Sequence, residues 1–331
     1  MKSDFFRACL AKDDLVAAPL AGISHLPFRR ILRKYFNGII YSEMMSVEGI
    51  SRRNAESMEY LDRLEDESPL VFQLFGGKPS SFGEAVKVAQ DYVNVDAFDV
   101  NMGCPVKKVL KTGGGCALLS DLTRVKEIVQ NIRKSTDKPF SIKIRIGLTA
   151  DNLVYRDILD IAESEGVNAV IIHARTKSDM FGGTVRLDTL ADAVSRVDIP
   201  IIGNGGVVCP ESYKAMKATG VAGVMIGRGM MKAPWIFKAI RADQSPDGYL
   251  SPRGIWELLR DMDSFMAEHA GLRGNKSTHY MHVLRKQAVW FSKGLPDAAS
   301  FRTKVYQTQS KDEVMNIIEE FFTSTAATWQ S

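Results

Sequence analysis

The stretch FSIKIRIGLTADNLVYRDILDIAESEGVNAVIIH, residues 140–173, contains one complete strand–helix–strand unit. Its two ends, residues 140–146 and 169–173, are nearly continuous apolar runs, and residues 152–165 between them have helical spacing. Asp151 stands where a helix N-cap belongs, and Gly166 follows the end of the helical pattern. Apolar strands joined by an amphipathic helix indicate parallel strands in a sheet that is covered on both faces.

The same pattern recurs along most of the chain. Eight short apolar or β-branched runs stop at glycine or a polar residue, at positions 15–19, 38–42, 70–75, 97–101, 140–146, 169–173, 199–203 and 224–227. Eight such units predict the α/β class and a (β/α)₈ TIM barrel over residues 1–245. A doubly wound open sheet is the alternative, but residues 19–22, PLAG, lack the G-x-G-x-x-G spacing of a dinucleotide loop.

The strand pattern ends near residue 251, and helical periodicity replaces it over residues 255–269, 278–291 and 312–322. We therefore predict a C-terminal all-helical domain, residues 251–331, after a polar linker at 242–252. The formal net charge of the whole chain is only +4, but the basic residues are concentrated between positions 271 and 310, so the rest of the chain is slightly acidic. Between positions 271 and 310 the charged residues are Arg273, Lys276, Arg285, Lys286, Lys293, Arg302 and Lys304, against the single acid Asp297.

Composition excludes several classes of protein. With 45% apolar and 25% charged residues, the chain is neither collagen-like nor wholly disordered. No apolar run approaches the ~20 residues that a membrane span needs, and charged residues interrupt the first fourteen positions, so we expect neither a signal peptide nor a membrane anchor. The four cysteines form no C-x-x-C pair and the histidines no H-E-x-x-H motif, so we expect no disulfide scaffold, no metal site and a cytoplasmic location.

Polar residues are concentrated where the predicted strands end, and in a barrel these ends share one rim. The set consists mainly of cations and amides, which suit an anionic ligand: Gln73, Asn101, Lys143, Arg145, His173, Arg175, Lys177, Asn204 and Arg228. Two glycine-rich turns, residues 204–206 (NGG) and 227–229 (GRG), follow the last two strands and predict a phosphate site. The alternative is that these glycines only make tight turns.

Two further features of the rim indicate chemistry. Lys143 and Arg145 alternate with isoleucines, so both point to the lumen, where an unpaired cation is costly. Either a structural ion pair or an electron-rich cofactor ring would satisfy them. Cys104 opens a connection, residues 102–120, that is long for a plain loop. It is either an inert buried residue or a catalyst, and a thiol with a pKa near ~8.5 can donate a proton at neutral pH.

Taken together, these motifs resemble the tRNA-dihydrouridine synthases, most closely the bacterial B-type group, over nearly the whole chain. The segment DVNMGCP, residues 99–105, with GCALL at 115–119, is the most specific part. The other matching segments are APLAG (18–22), PFR (27–29), QLFG (73–76), KIR (143–145), HARTK (173–177), NGG (204–206), MIGRG (225–229) and PW (234–235).

The resemblance implies an FMN-binding barrel, a helical RNA-binding domain, and reduction of the C5=C6 bond of tRNA uridines with NADPH. We separately expect a monomer. Cys104 would be the general acid. The implied cofactor-binding residues are Pro19, Leu20, Ala21, Gln73, Lys143, His173, Asn204, Gly205, Gly206, Gly227 and Arg228. The implied substrate-binding residues are Asn101, Arg145, Arg175 and Lys177 at the barrel, and Arg285 and Lys286 in the helical domain.

The chain departs from the family pattern at several positions. His25, Ala174 and Gly206 stand where an acid, a glycine and an aspartate are common. Three other functions remain open. The first is a flavin barrel acting on a free pyrimidine, for which the basic end has no use. The others are a Schiff-base lyase using Lys143 and an RNA-binding protein without catalysis. Neither the modified uridine nor an action on ribosomal RNA follows from the sequence.

Overall fold

The computed structural model describes residues 5–269 and 277–328. The chain divides into two compact units. The first comprises Met1–Leu26, Asn37–Val207 and Glu211–Gly227, and the second comprises Pro27–Phe36, Val208–Pro210 and Arg228–Ser331. Of the basic residues counted above, Arg273 and Lys276 lie outside the described residues.

The first unit is a closed barrel of eight parallel strands: β1 (Leu15–Ala17), β2 (Ile39–Tyr41), β3 (Leu70–Phe75), β4 (Ala97–Met102), β5 (Phe140–Arg145), β6 (Ala169–His173), β7 (Ile201–Asn204) and β8 (Gly223–Ile226). Each strand pairs with the next, and β8 returns to β1 with Val224 opposite Leu15. The TIM barrel is therefore confirmed, because an open sheet would leave β1 and β8 apart. All eight predicted strands are present.

Strand alternation separates two kinds of side chain in the barrel. On β4 and β5, Phe98 and Ile142 point outward under the helices, and both are fully buried. Asp99, which follows Phe98 on β4, and Ser141, which precedes Ile142 on β5, point into the lumen. Their side chains are hydrogen-bonded to each other there. The lumen of this barrel is therefore polar at mid-height, and its hydrophobic core lies between the strands and the helices.

One helix of the first unit precedes β1, and the others lie in the connections that follow the strands. They are Phe5–Lys12, Val47–Ser51, Ala55–Met58, Pro79–Tyr92, Lys107–Leu110, Leu122–Ser135, Tyr155–Ser164 and Leu187–Arg196, and Pro210–Lys217 lies almost entirely within it. Asp121 caps Leu122–Ser135 by accepting a hydrogen bond from Arg124 N–H at 3.0 Å. The helix predicted at residues 152–165 begins only at Tyr155, because Asn152–Leu153 pairs with Gly147–Thr149 in a short antiparallel hairpin.

The second unit contains only helices among its described residues: most of Leu26–Arg33, then Arg228–Lys232, Ile236–Arg241, Pro252–Glu268, Ser277–Phe291, Ala298–Gln307 and Lys311–Thr328. Aromatic rings pack inside it, as where Phe36 stacks on Phe237 with 3.9 Å between ring centroids. Sequence periodicity did not reveal Ala298–Gln307, and Lys311–Thr328 is longer than predicted. None of the helices in the described part of the chain has both the length and the apolarity needed to cross a bilayer.

We expect Phe98→Ala to lower the free energy of unfolding by about 3–5 kcal/mol, because it leaves a cavity between β4 and the helices. The measurement is the shift of the chemical denaturation midpoint at constant slope. Tyr92→Ala is the matched control, since Tyr92 is 51% exposed and its loss should change the unfolding free energy by less than about 0.5 kcal/mol. Equal effects of the two substitutions would contradict the assigned orientation of β4.

Candidate active site at the mouth of the barrel

A series of hydrogen bonds links polar side chains across the lumen, below the ends of the strands. Tyr41 Oη lies 3.1 Å from Ser141 Oγ, which donates to Asp99 Oδ1 at 2.6 Å. Gln73 Nε2 donates to Asp99 Oδ2 at 2.7 Å, and Asn101 Nδ2 donates to Gln73 Oε1 at 2.9 Å. The structure thus brings the predicted residues Gln73 and Asn101 together.

Sequence reasoning missed the other three members of this series, Tyr41, Asp99 and Ser141. A signal was present for two of them. Asp99 and Ser141 stand two residues before Asn101 and Lys143, so the strand alternation that places Lys143 in the lumen places them there as well. Tyr41 ends an otherwise apolar strand, and nothing in its sequence neighbourhood indicates its partner.

Two ionisable groups of the lumen titrate near neutrality. Asp99 is fully buried, and desolvation raises its pKa to about 7 against the opposing effect of its hydrogen bonds and of Lys143. Desolvation and the charge of Arg145 lower the pKa of Lys143 to about 8. Lys143 Nζ donates to Asn204 Oδ1 at 3.0 Å, its one hydrogen bond among the described residues. This ammonium therefore has donors available for a ligand acceptor.

Cys104 lies in a tight turn directly after β4. Asn101 Oδ1 accepts hydrogen bonds from the backbone N–H groups of Gly103, at 3.2 Å, and Cys104, at 2.9 Å. The Cys116 N–H donates to the Cys104 carbonyl at 3.0 Å, so the long connection returns to the turn. Desolvation raises the pKa of the half-buried Cys104 thiol, and nearby charges, including Arg145, compensate only in part. The thiol is therefore protonated at neutral pH and can act as a proton donor.

Arg145 ties the Cys104 turn to the loop that follows β6. Its side chain is almost wholly buried, and its Nε donates to the Gly103 carbonyl at 3.0 Å while its Nη1 donates to the Thr176 carbonyl at 2.7 Å. Gly103 has room for this arrangement only because it lacks a side chain, since an added Cβ would lie 3.2 Å from the backbone of Ile144. Arg145, expected at the substrate, thus also positions the backbone next to Cys104.

Arg175 and His173 organise the loop after β6. Arg175 Nε and Nη2 donate to the Gly183 carbonyl at 3.1 and 3.0 Å, and its Nη1 lies 3.3 Å from His173 Nε2. Lys177 follows in the same loop with a half-buried side chain. Asp179 fixes the next turn through Arg186, whose guanidinium lowers the pKa of that carboxyl to about 2. These contacts give the loop a defined shape at the mouth.

Glycines at the ends of β7 and β8 present backbone donors. Asn204 lies opposite Met225 in the sheet, so Gly206 stands close to Gly227 on the neighbouring strand. Gly205 and Gly206 have φ values of +125° and +74°, a region of backbone conformation that glycine adopts without strain. Among the described residues, no acceptor pairs with the N–H groups of Gly205, Gly206 or Gly227. Such adjacent free N–H groups are typical of anion-binding turns.

The remaining predicted cofactor residues lie at two other places. Pro19, Leu20 and Ala21 follow β1 and are partly exposed, with the Leu20 N–H donating to Ser24 Oγ at 3.0 Å. Arg228 begins the helix Arg228–Lys232 in the second unit. Within residues 5–269 and 277–328, no group of three or more His, Cys, Asp or Glu side chains could hold a metal ion.

In the helical unit, the two predicted RNA-binding residues differ in exposure. Arg285 is 5% exposed and donates to the Thr308 carbonyl, whereas Lys286 is half-buried. A more exposed group of cations lies near Lys293, whose Nζ is 3.2 Å from the ring centroid of Trp290. Desolvation and then the charges of Arg302 and Lys232 lower the pKa of Lys293. Sequence analysis counted Lys293 and Arg302 as basic residues but did not place them together.

Comparison with known proteins identifies close relatives of the whole chain. The model of the dihydrouridine synthase (Dus) family matches residues 15–327. The tRNA-dihydrouridine synthase B of Pseudomonas aeruginosa is 31% identical over 318 residues, covering 93% of this chain and 92% of that protein. The tRNA-dihydrouridine synthase B of Vibrio cholerae is 28% identical over 324 residues, covering 96% of this chain and 98% of that protein.

Similar solved structures share the barrel fold. Histamine dehydrogenase from Rhizobium sp. 4-9 superimposes with a TM-score of 0.56 at 12% identity, over 76% of this chain and 49% of its own, so the match spans about half of that protein. A variant of NCR from Zymomonas mobilis superimposes with a TM-score of 0.52 at 15% identity, over 72% of this chain and 93% of its own. At these identities the similarity shows the fold alone.

We expect the alkylation rate of Cys104 by iodoacetamide to rise with pH with a midpoint above that of a free thiol, because burial raises the pKa of Cys104 and favours the thiol over the thiolate. The rate is followed by mass spectrometry of the peptide containing residue 104. Cys104→Ser is the control, because any alkylation of its corresponding peptide would come from a residue other than Cys104. A midpoint near or below ~8.5, the value of a free thiol, would contradict the assigned protonation state.

Proposed function

Since the chain belongs to the dihydrouridine synthase family, we propose that it reduces the C5=C6 bond of uridines in tRNA, with FMN bound in the barrel mouth and NADPH as reductant. The observation that carries the proposal is a protonated thiol on a hydrogen-bonded turn, beside buried cations and free glycine N–H groups, at the mouth of one barrel. In this proposal residues 1–245 are the FMN-binding part and residues 251–331 the RNA-binding part.

The residues at the mouth fit FMN. Lys143, an ammonium with unused donors, and Gln73, a buried amide, both face the lumen, and these two donor groups suit the electron-rich edge of a flavin ring. The free N–H groups of Gly205, Gly206 and Gly227 suit its phosphate. In the same proposal Asn204 and His173 line the space between ring and phosphate, and Pro19, Leu20 and Ala21 lie along the ring.

Cys104 supplies the proton of the reaction. Bound FMN would supply the hydride equivalent for C6 of the uracil, with NADPH as the source of its electrons. The Cys104 thiol gives its proton to C5, so that one hydride and one proton together saturate the bond. Arg145 and Lys143 stabilise the thiolate that remains, as the effect of their charges on the thiol pKa indicates. The half-exposed sulfur then regains a proton from solvent.

The target uridine must leave its stack to reach Cys104, because the thiol lies at the end of a barrel strand and not on a surface that a helix of RNA could approach. We assign Asn101, Arg145, Arg175 and Lys177 to its surroundings. Arg145 and Arg175 contribute by holding the loops after β4 and β6, since each donates two hydrogen bonds to backbone carbonyls there. Lys177 provides a charge for a neighbouring phosphate.

The helical part binds RNA phosphates through its basic residues. Lys286 forms one phosphate contact. The exposed residues Lys293 and Arg302 form a second phosphate contact, because a bound phosphate would relieve the repulsion between their two positive charges. Arg285 supports this surface from inside through its bond to the Thr308 carbonyl. The enzyme acts as a monomer in the cytoplasm, where its RNA substrate is found.

Cys104→Ala should leave the FMN content unchanged and lower dihydrouridine formation by at least ~10²-fold, because no other group replaces the acid. Dihydrouridine is quantified by mass spectrometry of tRNA treated with holoenzyme and NADPH. Cys9→Ala is the control, since Cys9 lies in the helix Phe5–Lys12 that precedes β1. Unchanged turnover of Cys104→Ala would remove the acid role, and reduction of free uridine as fast as tRNA would favour a small-molecule enzyme.

Lys293→Gln with Arg302→Gln should weaken tRNA binding and reduce the slope of log K against log salt by about 0.7–0.9 for each lost phosphate contact. Binding is measured by filter retention between about 50 and 200 mM salt, a range over which such contacts are resolved. The control is Lys126→Gln, which removes an exposed cation from a helix outside the barrel. A slope equal to that of the control would exclude these two residues from the RNA surface.

A further inference from the structure

The amide side chains of Gln73 and Asn101 stand in a line between a buried carboxylate and the Cys104 turn. At one end Gln73 Nε2 donates to Asp99 at 2.7 Å, and in the middle Asn101 Nδ2 donates to Gln73 Oε1 at 2.9 Å. At the other end Asn101 Oδ1 accepts from the backbone N–H of Cys104 at 2.9 Å. Every hydrogen bond in this line therefore runs in the same direction, toward Asp99.

This direction is not a property of the amides themselves. A primary amide can turn by 180° with almost no change of shape, which exchanges its donor and its acceptor. If Gln73 turned, its NH₂ would face Asn101, and Asn101 would have to turn as well. The NH₂ of Asn101 would then face the N–H of Cys104, and two donors would meet where a hydrogen bond now holds the turn.

Asp99 removes this ambiguity, because an ionised carboxylate has only acceptors and a donor must therefore face it. We propose that Asp99 is a positioning residue: it fixes the direction of the Gln73–Asn101 amide pair and thereby anchors the backbone of Cys104. Ser141 donates to the other oxygen of Asp99 at 2.6 Å and so leaves Gln73 as the only group of the line that Asp99 can orient.

The location of Asp99 suits this role better than that of a purely structural side chain. Its carboxyl is completely excluded from water, so each wrong pairing would leave an unsatisfied polar group in a medium of low dielectric. Lys143, which also faces this lumen, supplies a compensating charge. The same arrangement determines which edge of the Gln73 amide is left for a ligand in the mouth, and this consequence, like the effect on turnover given below, rests on the proposed function.

The test is Asp99→Asn in the flavin-loaded protein, because the introduced amide keeps the shape of the carboxylate but can present a donor. Amide hydrogen exchange at Gly103 and Cys104 is measured by mass spectrometry with fragmentation, at about pH 8, where the wild-type carboxylate is ionised. We expect these two amides to lose at least ~tenfold in protection, because their acceptor turns away in part of the population. Unchanged protection overturns the proposal.

The matched control is Asp96→Asn, the same chemical change at the opposite end of β4. Asp96 accepts from the Leu70 N–H at 2.8 Å and pairs with Arg63 at 3.2 Å, so its loss perturbs the base of the barrel and not the mouth. Protection at Gly103 and Cys104 should change by less than ~twofold in this variant. A loss equal to that of Asp99→Asn would show that general loosening of the barrel explains both results, and would overturn the proposal.

A double variant that exchanges the amide and the carboxylate distinguishes the effect of hydrogen-bond direction from the effect of side-chain packing. In Gln73→Glu combined with Asp99→Asn, the introduced carboxylate accepts both from the new amide at position 99 and from Asn101, so the original orientation of Asn101 is again the only satisfied one. Protection should return to within ~threefold of the wild type, whereas a purely structural role predicts a further loss. Failure of this rescue overturns the proposal even if Asp99→Asn alone loses protection.

These measurements do not depend on the reaction. Protection of the two amides needs neither RNA nor NADPH, so it tests the positioning role even if the chain were inactive on tRNA. In active enzyme, Asp99→Asn should lower kcat for dihydrouridine formation by about tenfold and leave KM for tRNA within ~twofold, because the acid and not the RNA surface is displaced. An increase in KM at unchanged kcat would overturn the proposed link to Cys104.

Discussion

The interior of the barrel depends on one constraint, namely that charged groups held away from water must find partners. Asp99, Lys143 and Arg145 all point into the lumen, and each meets a specific partner. Arg145 donates hydrogen bonds to backbone carbonyls of two loops. Asp99 accepts hydrogen bonds from two side chains. Lys143 donates to one amide oxygen and has further donors remaining. The need to satisfy these groups gives the loops their positions, and it leaves Lys143 available for a ligand.

The same constraint explains why a long connection after β4 is ordered. The Cys104 turn is held by Asn101 from below and by Arg145 from the side, and Cys116 brings the far end of the connection back to it. Close backbone contacts complete the arrangement, since a Cβ on Gly77 would lie 2.3 Å from the Thr112 carbonyl. A thiol on such a support keeps its place while its pKa stays above neutrality, which is what a proton donor requires.

Sequence reasoning predicted the barrel because apolar runs of strand length are a local signal, and it located the mouth because chemistry in this fold lies where strands end. It did not find the Asp99 partners, because hydrogen bonds between β3, β4 and β5 join residues far apart in the chain. It did not detect the hairpin at residues 147–153, where pairing prevents helix formation before Tyr155. The burial of Arg285 was equally invisible, since a basic residue next to Lys286 has the same local pattern whether it faces solvent or Thr308.

The pKa shifts of Asp99 and Lys143 indicate that charged groups in the lumen reduce the stability of the fold. Desolvation raises the pKa of Asp99, so its contribution to folding is full below about 4 and is lost as the pH rises through about 7. For Lys143 the pKa is lowered, so its contribution is full above about 10.5 and is lost as the pH falls through about 8. Between about pH 7 and 8 both groups therefore oppose folding in their charged forms. Since a bound anion would offset this cost for Lys143, anion binding should stabilise the folded protein most clearly below about pH 8, where Lys143 is charged.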